Sequence, residues 1–415
     1  MTDVFILGIG MTGLGKFPNR SVKDLTREAV DLAIADADIE QRAIQAAWFS
    51  NTRQGLLEGQ NGIRGQCALR PLGFEGIPIA NIENACASGS TAMLQAIAHI
   101  KAGMCDVALV VGAEKMFYPD KRDAMFNAFK GGTDIHRLQE FHQIVSQQAA
   151  ELIPEQYRDI DEQRSFFMDS YAAQARLHMQ KYGTTQRQFA AAAAKNHWHS
   201  TMNPLAQYQA SMTVEQVLSD RVIAWPFTLP MCAPISDGAA AAIVCSRHAL
   251  KQLGGSRRAI RIRALSLCSG TTRSADDFAK HIGRHAALLA YEQAAIGSAD
   301  IDVAEVHDAS AYAEIQQVEN LGLCSPGDGG PFTERGNTTL GGAIPVNPSG
   351  GLVSKGHPVG ATGIMQLHEL VCQLRGEAGR RQVEGARIAV AENGGGFYET
   401  EEAATTVTVL EASSR

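Results

Sequence analysis

The sequence lacks the marks of a metal-stapled, membrane-spanning or nucleic-acid-binding chain. Its eight cysteines (67, 86, 105, 232, 245, 268, 324 and 372) stand singly, with no C-x-x-C pair and no zinc-site spacing. That argues against a structural metal or a disulfide framework and fits a reducing, cytoplasmic setting. There is no basic block, and 44 acidic against 37 basic residues give a net charge of −7. Such a balance disfavours a nucleic-acid partner. No run approaches the roughly 18 apolar residues of a membrane span. The N-terminal Met-Thr-Asp-Val-Phe-Ile-Leu-Gly reads as a first strand rather than a signal peptide. The final Ser413-Ser414-Arg415 differs from the peroxisomal S-K-L address. The 415 residues, 45% apolar and 20% charged, suit a globular protein with a large buried core.

The chain is written twice. Residues 29–51 and 286–308 align at a constant offset of 257, with Ile39 on Ile296, Ile44 on Ile301 and Asn51 on Asp308. Each copy reads as an amphipathic helix, an acidic turn holding a second short piece, and a strand. A second pair shares a grammar at an offset of 271. Cys86-Ala-Ser-Gly89 opens a helix running to about Ala102, followed by the strand Asp106–Gly112. His357-Pro-Val-Gly360 opens a helix running to about Leu374, followed by the strand from Ala386. In both, a reactive side chain stands three positions before a glycine at the mouth of a helix. Alternating helices and strands imply mixed or parallel sheets covered by helices.

Three units follow: an N-terminal half over 1–116 and 226–255, a helical region over 117–225, and a C-terminal half over 256–415. The helical region has helical spacing in Ser165–Lys181 and Thr185–Trp198, with Gly183 and Thr184 or Thr185 as stop and start signals. It looks like an excursion laid over the active-site face. Its aromatics (Phe117, Phe126, Phe129, Phe141, Phe166, Phe167 and Trp198) line a pocket or form the region's own core. Lys251–Arg258 has the composition of an exposed linker between the halves.

Four segments carry chemistry. Cys86 at a helix mouth feels the positive end of the helix dipole, which favours a thiolate; a buried structural cysteine is the competing reading. Small neighbours from Ala87 to Ser90 permit close approach of a backbone or a thioester. His357 sits in a glycine-dense segment, where a helix mouth keeps an imidazole neutral. His307 ends a strand, where α/β sheets bind ligands, although His307-Asp308 could simply open the next helix. Glu392-Asn-Gly-Gly-Gly396 can present backbone N–H groups to an oxyanion, or be a flexible turn.

Taken together, Asn84-Ala-Cys86-Ala-Ser-Gly-Ser, Val111-Gly-Ala-Glu-Lys-Met, Ser236-Asp-Gly-Ala-Ala, His307-Asp and Gly356-His-Pro-Val-Gly-Ala-Thr-Gly resemble the thiolase superfamily, and more closely its sterol-carrier-type thiolases. The resemblance covers nearly the whole chain. It implies a duplicated α/β thiolase fold of five αβαβα layers with a helical loop domain, at least a homodimer, and coenzyme A and its acyl thioesters as substrates, with no covalently bound cofactor. It implies that Cys86 carries the acyl group, His357 activates the thiol and His307 binds an enolate oxyanion. It also places Asn393 among the catalytic residues, the N–H groups of Cys86 and of Gly394 or Gly395 at the oxyanion, and Ser354 and Gly356 at the substrate.

Two departures stand out. The position of the degradative thiolases' second cysteine holds Glu392, and the sterol-carrier-type His-Asp-Cys-Phe reads His307-Asp308-Ala309-Ser310. Acid/base duty then falls to His307, His357, Glu392, Tyr398 or the substrate, and the stretch Phe397–Glu402 replaces the usual run into the last strand. Three functions compete: a thiolase cleaving or forming a 3-oxoacyl-CoA, an acyltransferase or carbon–carbon lyase working with a small OB-fold, zinc-ribbon partner, and a non-catalytic acyl-CoA-binding scaffold.

Overall fold

The computed structural model describes residues 3–158, 164–254 and 258–413. The interior of the linker expected at Lys251–Arg258 lies outside the described residues.

The first copy of the repeat opens with β1 (Val4–Met11) and α1 (Val22–Ala37). α1 starts at Ser21 because Ser21 and Asp24 cap each other: Asp24 N donates to Ser21 Oγ (3.2 Å) and Ser21 N to Asp24 Oδ2 (2.9 Å). Val22, Leu25, Ala29 and Ala33 recur at helical spacing and are its buried face. A short turn, Gln41–Ala43, leads into β2 (Ala46–Ser50). Then come β3 (Ile79–Ile82), α2 (Ser88–Lys101) and β4 (Val107–Glu114). Beyond them α3 (Phe166–Tyr182) and α4 (Gln186–Ser200) form the helical region; Gly183 closes α3 at φ 75°, and Thr185 caps α4 through Gln188. The first half resumes with β5 (Gly238–Ser246).

The second copy repeats the order: β6 (Ile260–Ser269), α5 (Ile282–Ala294), the turn Ser298–Asp300 and β7 (Val303–Glu305). It continues with α6 (Ala311–Asn320), α7 (Thr362–Arg375), β8 (Ile388–Gly395) and β9 (Ala404–Glu411).

The strands form one sheet in the order β3-β2-β4-β5-β1-β6-β9-β8-β7. It is two half-sheets of the same plan. β2-β4-β5-β1 in the first half matches β7-β8-β9-β6 in the second, parallel at the first pairing and antiparallel at the other two. The halves join along β1 and β6, where Val4, Phe5 and Ile6 face Ile262, Arg261 and Ile260.

Strand pleating sorts the side chains into layers. Val390, Val407 and Val409 face α5 on one outer side, and Phe49, Leu109 and Ile243 face α1 on the other. Ala389, Ala391, Ala240 and Val110 turn inward, onto Met93, Ile97, Ile364 and Leu370 of α2 and α7. Both helices are thus sandwiched between the half-sheets, which gives the five layers of a duplicated thiolase fold. Each fully buried Leu or Ile here contributes roughly 1.5–3 kcal/mol.

Glycines set how closely the middle helices approach. A Cβ on Gly363 would lie 2.5 Å from Ser90 N, and one on Gly112 would lie 2.5 Å from Gly360 O. The small residues around Cys86 therefore admit another backbone, that of the duplicated helix mouth.

Candidate active site

Cys86 stands in a tight turn between β3 and α2. Ala85 adopts φ 48°, a left-handed conformation that costs a non-glycine residue energy and marks a turn held by its surroundings. Ala85 N donates to Glu83 Oε1 (2.7 Å), and Asn84 N donates to Ser88 Oγ (2.8 Å), which donates to Ala85 O (2.6 Å). From the other half, His357 brings Nε2 to 3.3 Å from Cys86 Sγ.

The tautomer of His357 follows from its other nitrogen. Thr362 Oγ1 donates to Pro358 O (3.3 Å), which leaves its lone pairs for the His357 Nδ1–H at 2.8 Å. Nε2 is then bare and accepts from the Cys86 thiol. The backbone of His357 is pinned as well, its N–H donating to Ser236 Oγ (2.9 Å), which donates to Gln207 Oε1 (2.6 Å).

His307 completes the cluster, its ring centroid 5.2 Å from that of His357 at 71°. Neither of its ring nitrogens has a hydrogen-bond partner among the described residues. Its main-chain N–H donates to Glu392 Oε2 (3.0 Å). The next helix is capped by Ser310. Asp308 instead accepts from Leu352 N (2.6 Å) and Asn196 Nδ2 (2.9 Å), fastening the glycine-rich segment that carries His357.

Burial decides the protonation states. It pushes the Cys86 thiol up to about 12, against the opposing pull of Arg53 and of the Gly396 N–H directed at the sulfur. The same burial lowers His307 to about 4, and it depresses His357 strongly, aided by His307 and Arg53. The resting pair is thus a neutral thiol on a neutral imidazole. The expected thiolate fails because α2 begins only at Ser88 and its dipole is weaker than the desolvation of a buried anion.

The site residues expected from sequence take different places. Cys86, His307 and His357 line one cavity of about 260 Å³. Asn393 does not line it; its Oδ1 accepts from Ser90 Oγ (2.7 Å) in the middle helical layer. Glu392, one residue back on the strand, faces the opposite way, behind His307. Burial and the nearby Glu402 charge raise its carboxyl well above the usual range, so it is a neutral acid.

Gly394 and Gly395 pair with Thr405 and Ala404 in the sheet, and it is Gly396, at φ 65°, that reaches the cavity. Gly395 packs under the nucleophile turn, where a Cβ would lie 2.2 Å from Asn84 O. Ser354 is buried, bonded to Ser200 Oγ (2.7 Å) and His197 Nδ1 (3.1 Å), and neither it nor Gly356 lines the cavity. Tyr398 is 50% exposed and turned away from it. The stretch Phe397–Glu402 is pinned by Glu401, which accepts from Arg273 Nε (2.7 Å) and Ile282 N (3.0 Å).

The cavity also holds Met116, the last residue of the Val111-Gly-Ala-Glu-Lys-Met motif, and residues that no sequence motif signalled: Arg53, Tyr171, Tyr208 and Cys232. Cys232 donates its thiol to Thr228 O (3.5 Å), and burial pushes it to about 12. Of the helical region's aromatics, Phe126, Phe129 and Phe167 line the cavity, whereas Phe141 and Phe166 pack in a separate small core and Trp198 is exposed. Lys16, Arg122 and Arg221 are exposed around the cavity, and among the described residues no carboxylate lines it. Cys86 Sγ and the ring nitrogens of His307 and His357 lie within 4.8 Å of one another, a donor set that could also hold a soft cation.

A duplicated five-layer fold whose two helix mouths pair a cysteine with a histidine defines a thiolase-like protein. Comparison with known proteins agrees. The family described as "Thiolase, N-terminal domain" matches residues 4–221, and "Thiolase C-terminal domain-like" matches residues 267–410. The chain belongs to the thiolase family.

Among its relatives, sterol carrier protein 2 of Oryctolagus cuniculus is 36% identical over 94% of this chain and 69% of that protein. An acetyl-CoA acetyltransferase of Methanothermobacter thermautotrophicus is 37% identical over 95% of this chain and 97% of that protein. The benzoylsuccinyl-CoA thiolase subunit BbsB of Thauera aromatica is 32% identical over 95% and 94%. Solved structures share the fold. An Ltp2-ChsH2(DUF35) aldolase superposes with a TM-score of 0.79 at 21% identity, covering 100% of this chain and 98% of that one. Human mitochondrial 3-ketoacyl-CoA thiolase in complex with CoA superposes at 0.71 and 16% identity, covering 100% and 98%. Among the described residues no helix is long and apolar enough to cross a membrane.

Proposed function

We propose that this protein is an acyl-CoA acyltransferase of thiolase type, cleaving or forming a 3-oxoacyl-CoA through an acyl-Cys86 intermediate. The observation that carries the reading is the 3.3 Å contact between Cys86 Sγ and an acceptor Nε2 of His357, beside an unpartnered His307. In cleavage, Sγ adds to the 3-oxo carbonyl as its proton passes to His357 Nε2. The N–H groups of Gly396 and Cys86 receive the oxyanion. Breaking the C2–C3 bond leaves the acyl group on sulfur and an enolate. His307 donates a hydrogen bond to the enolate oxygen, and C2 takes the proton from His357. The CoA thiol then displaces the acyl group and returns a proton to Cys86 through His357. A covalent intermediate divides the carbon–carbon step into two easier ones.

Under this reading, the neutral Glu392 acid supports His307 from behind, in place of a second cysteine. The helical region 117–225 forms the acyl pocket through Phe126, Phe129, Phe167 and Tyr171. Coenzyme A enters as a substrate, with its phosphates among the cations around the cavity. The test is intact-mass analysis after incubation with acetyl-CoA and acetoacetyl-CoA. A mass increase of one acetyl group that is absent in Cys86→Ala supports the reading. An unmodified wild-type chain, with no CoA-dependent loss of the 3-oxoacyl-CoA, sinks it.

A partner-dependent form of the activity has its own support, since one relative is named as a subunit of a thiolase and one structural neighbour is a two-protein aldolase. Its mark is cleavage that emerges only when a small OB-fold, zinc-ribbon protein is added to a chain already competent for acylation.

A further inference from the structure

Arg53 acts on Cys86 and His357 through its charge, but the open edge of its guanidinium hydrogen-bonds to neither. It follows β2, is 3% exposed, and lines the cavity alongside Cys86. Its Nη1 donates to Ala128 O (2.7 Å), and its guanidinium carbon stands 5.4 Å from the Phe129 ring centroid. Nε and Nη2, which form the side-on edge of the guanidinium, have no hydrogen-bond partner among the described residues. Nor does any described carboxylate lie within ion-pair distance of its side chain.

The nearest acid by charge is Glu114, and its oxygens are already occupied. Oε1 accepts from Asn51 Nδ2 (2.9 Å) and Arg53 N (2.9 Å), and Oε2 accepts from Thr52 N (3.0 Å), Thr52 Oγ1 (2.8 Å) and Gly360 N (2.9 Å). A buried cation with one open bidentate edge is costly unless an anion meets it. Two parallel N–H donors match a carboxylate.

We infer that Arg53 is a specificity residue that pairs with a carboxylate on the acyl group, so that the preferred substrates are thioesters of dicarboxylic acids. This deepens the thiolase reading and rests on it. The coenzyme's highly hydrated phosphates are poor candidates for Arg53, because Arg53 is enclosed at 3% exposure whereas Lys16 at the cavity is exposed to solvent. An enolate oxygen is served by His307, whose nitrogens are open. The walls between, Met116, Phe129 and Ile235, are apolar and suit the methylene chain joining thioester to carboxylate.

The experiment measures the rate of Cys86 acylation by acetyl-, succinyl-, glutaryl-, butyryl- and hexanoyl-CoA with the full chain. At least one dicarboxylic thioester should acylate ten or more times faster than the neutral thioesters of similar length. In Arg53→Met that ratio should collapse towards one, and in Arg53→Lys, which keeps the charge but loses the fork, it should be partly kept. Faster acylation by the neutral thioesters in the wild type overturns the inference without needing a variant. So does an Arg53→Met chain that loses rate equally with both classes. If no thioester of either class acylates Cys86, the thiolase reading itself fails and the inference falls with it.

Discussion

Replacing Thr362 by Val tests whether the tautomer of His357 is what makes Cys86 a nucleophile. The two side chains have nearly the same shape, so the substitution removes a hydroxyl and little else. That hydroxyl accepts the His357 Nδ1–H at 2.8 Å and donates to Pro358 O at 3.3 Å, all in a buried setting. Without it the Nδ1–H is a buried donor with no acceptor, a penalty of about 1–3 kcal/mol. The imidazole can escape by moving its proton to Nε2, but it then faces the Cys86 thiol with a donor and cannot take the thiol's proton. Either way the productive state is disfavoured by about the same amount, equivalent to roughly a 5- to 150-fold slower acylation. Rapid-quench mass analysis with acetyl-CoA reads this rate directly. Thr362→Ser keeps the hydroxyl and should stay within about fivefold of wild type, since a lost buried methyl costs about 1 kcal/mol. Wild-type acylation by Thr362→Val, or a Ser variant as slow as the Val variant, would refute the reasoning.

Other consequences can be measured independently. With the Cys86 thiol at about 12, alkylation by iodoacetamide should rise about tenfold per pH unit between pH 7 and 10 without a plateau; a plateau near pH 7 would mean a stable thiolate. His307 is lowered from 6.5 to about 4, so the unfolded chain binds its proton first and stability should fall as pH drops through that window. His307→Asn should flatten this slope in denaturation curves taken between pH 4 and 7. Gly395→Ala forces a Cβ to 2.2 Å from the backbone oxygen of Asn84, whereas at Gly394 the nearest atom is a side-chain carbon, Glu402 Cγ, at 2.8 Å. The first should lose far more melting temperature than the second, and equal losses would count against this packing. Lys355→Met breaks the buried pair with Glu305 (3.2 Å) and leaves that carboxylate only Ser349 as partner. Chemical denaturation should show a loss of about 3–5 kcal/mol.

The duplication was legible because each half repeats a hydrophobic grammar that only one topology satisfies, down to the short turns Gln41–Ala43 and Ser298–Asp300. Cys86, His307 and His357 were legible because reactive side chains stand beside glycines at helix mouths and strand ends. The misplacements have simple causes. Glu392 and Asn393 are neighbours on a strand, so they face opposite sides, and counting the pleat from the buried Val390 of β8 would have turned Asn393 towards Ser90. Gly396 rather than Gly394 or Gly395 reaches the sulfur because the sheet pairing ends at Gly395. Arg53 enters from the segment after β2 and Tyr171 from α3 of the helical region, and no local pattern records that convergence. The charge state of Cys86 was misread for another reason: a dipole is visible in sequence, whereas the loss of water around a thiol exists only after folding.

The loss of water around the thiol also gives a reason for the doubled fold. A lone helix mouth offers a cysteine partial positive charge but no proton acceptor. Placing the second copy's helix mouth against the first supplies one, and it does so inside the middle layer, where Gly89, Gly112, Gly360 and Gly363 let the two backbones come within contact distance. The same closeness excludes water and drives both groups to their neutral forms, so in the proposed reaction the pair would hold its proton until a thioester carbonyl arrives to accept the sulfur. Reactivity then depends on substrate occupancy instead of on a standing thiolate. A nucleophile kept neutral until the carbonyl is in place is protected from side reactions by the same burial that makes it hard to ionise.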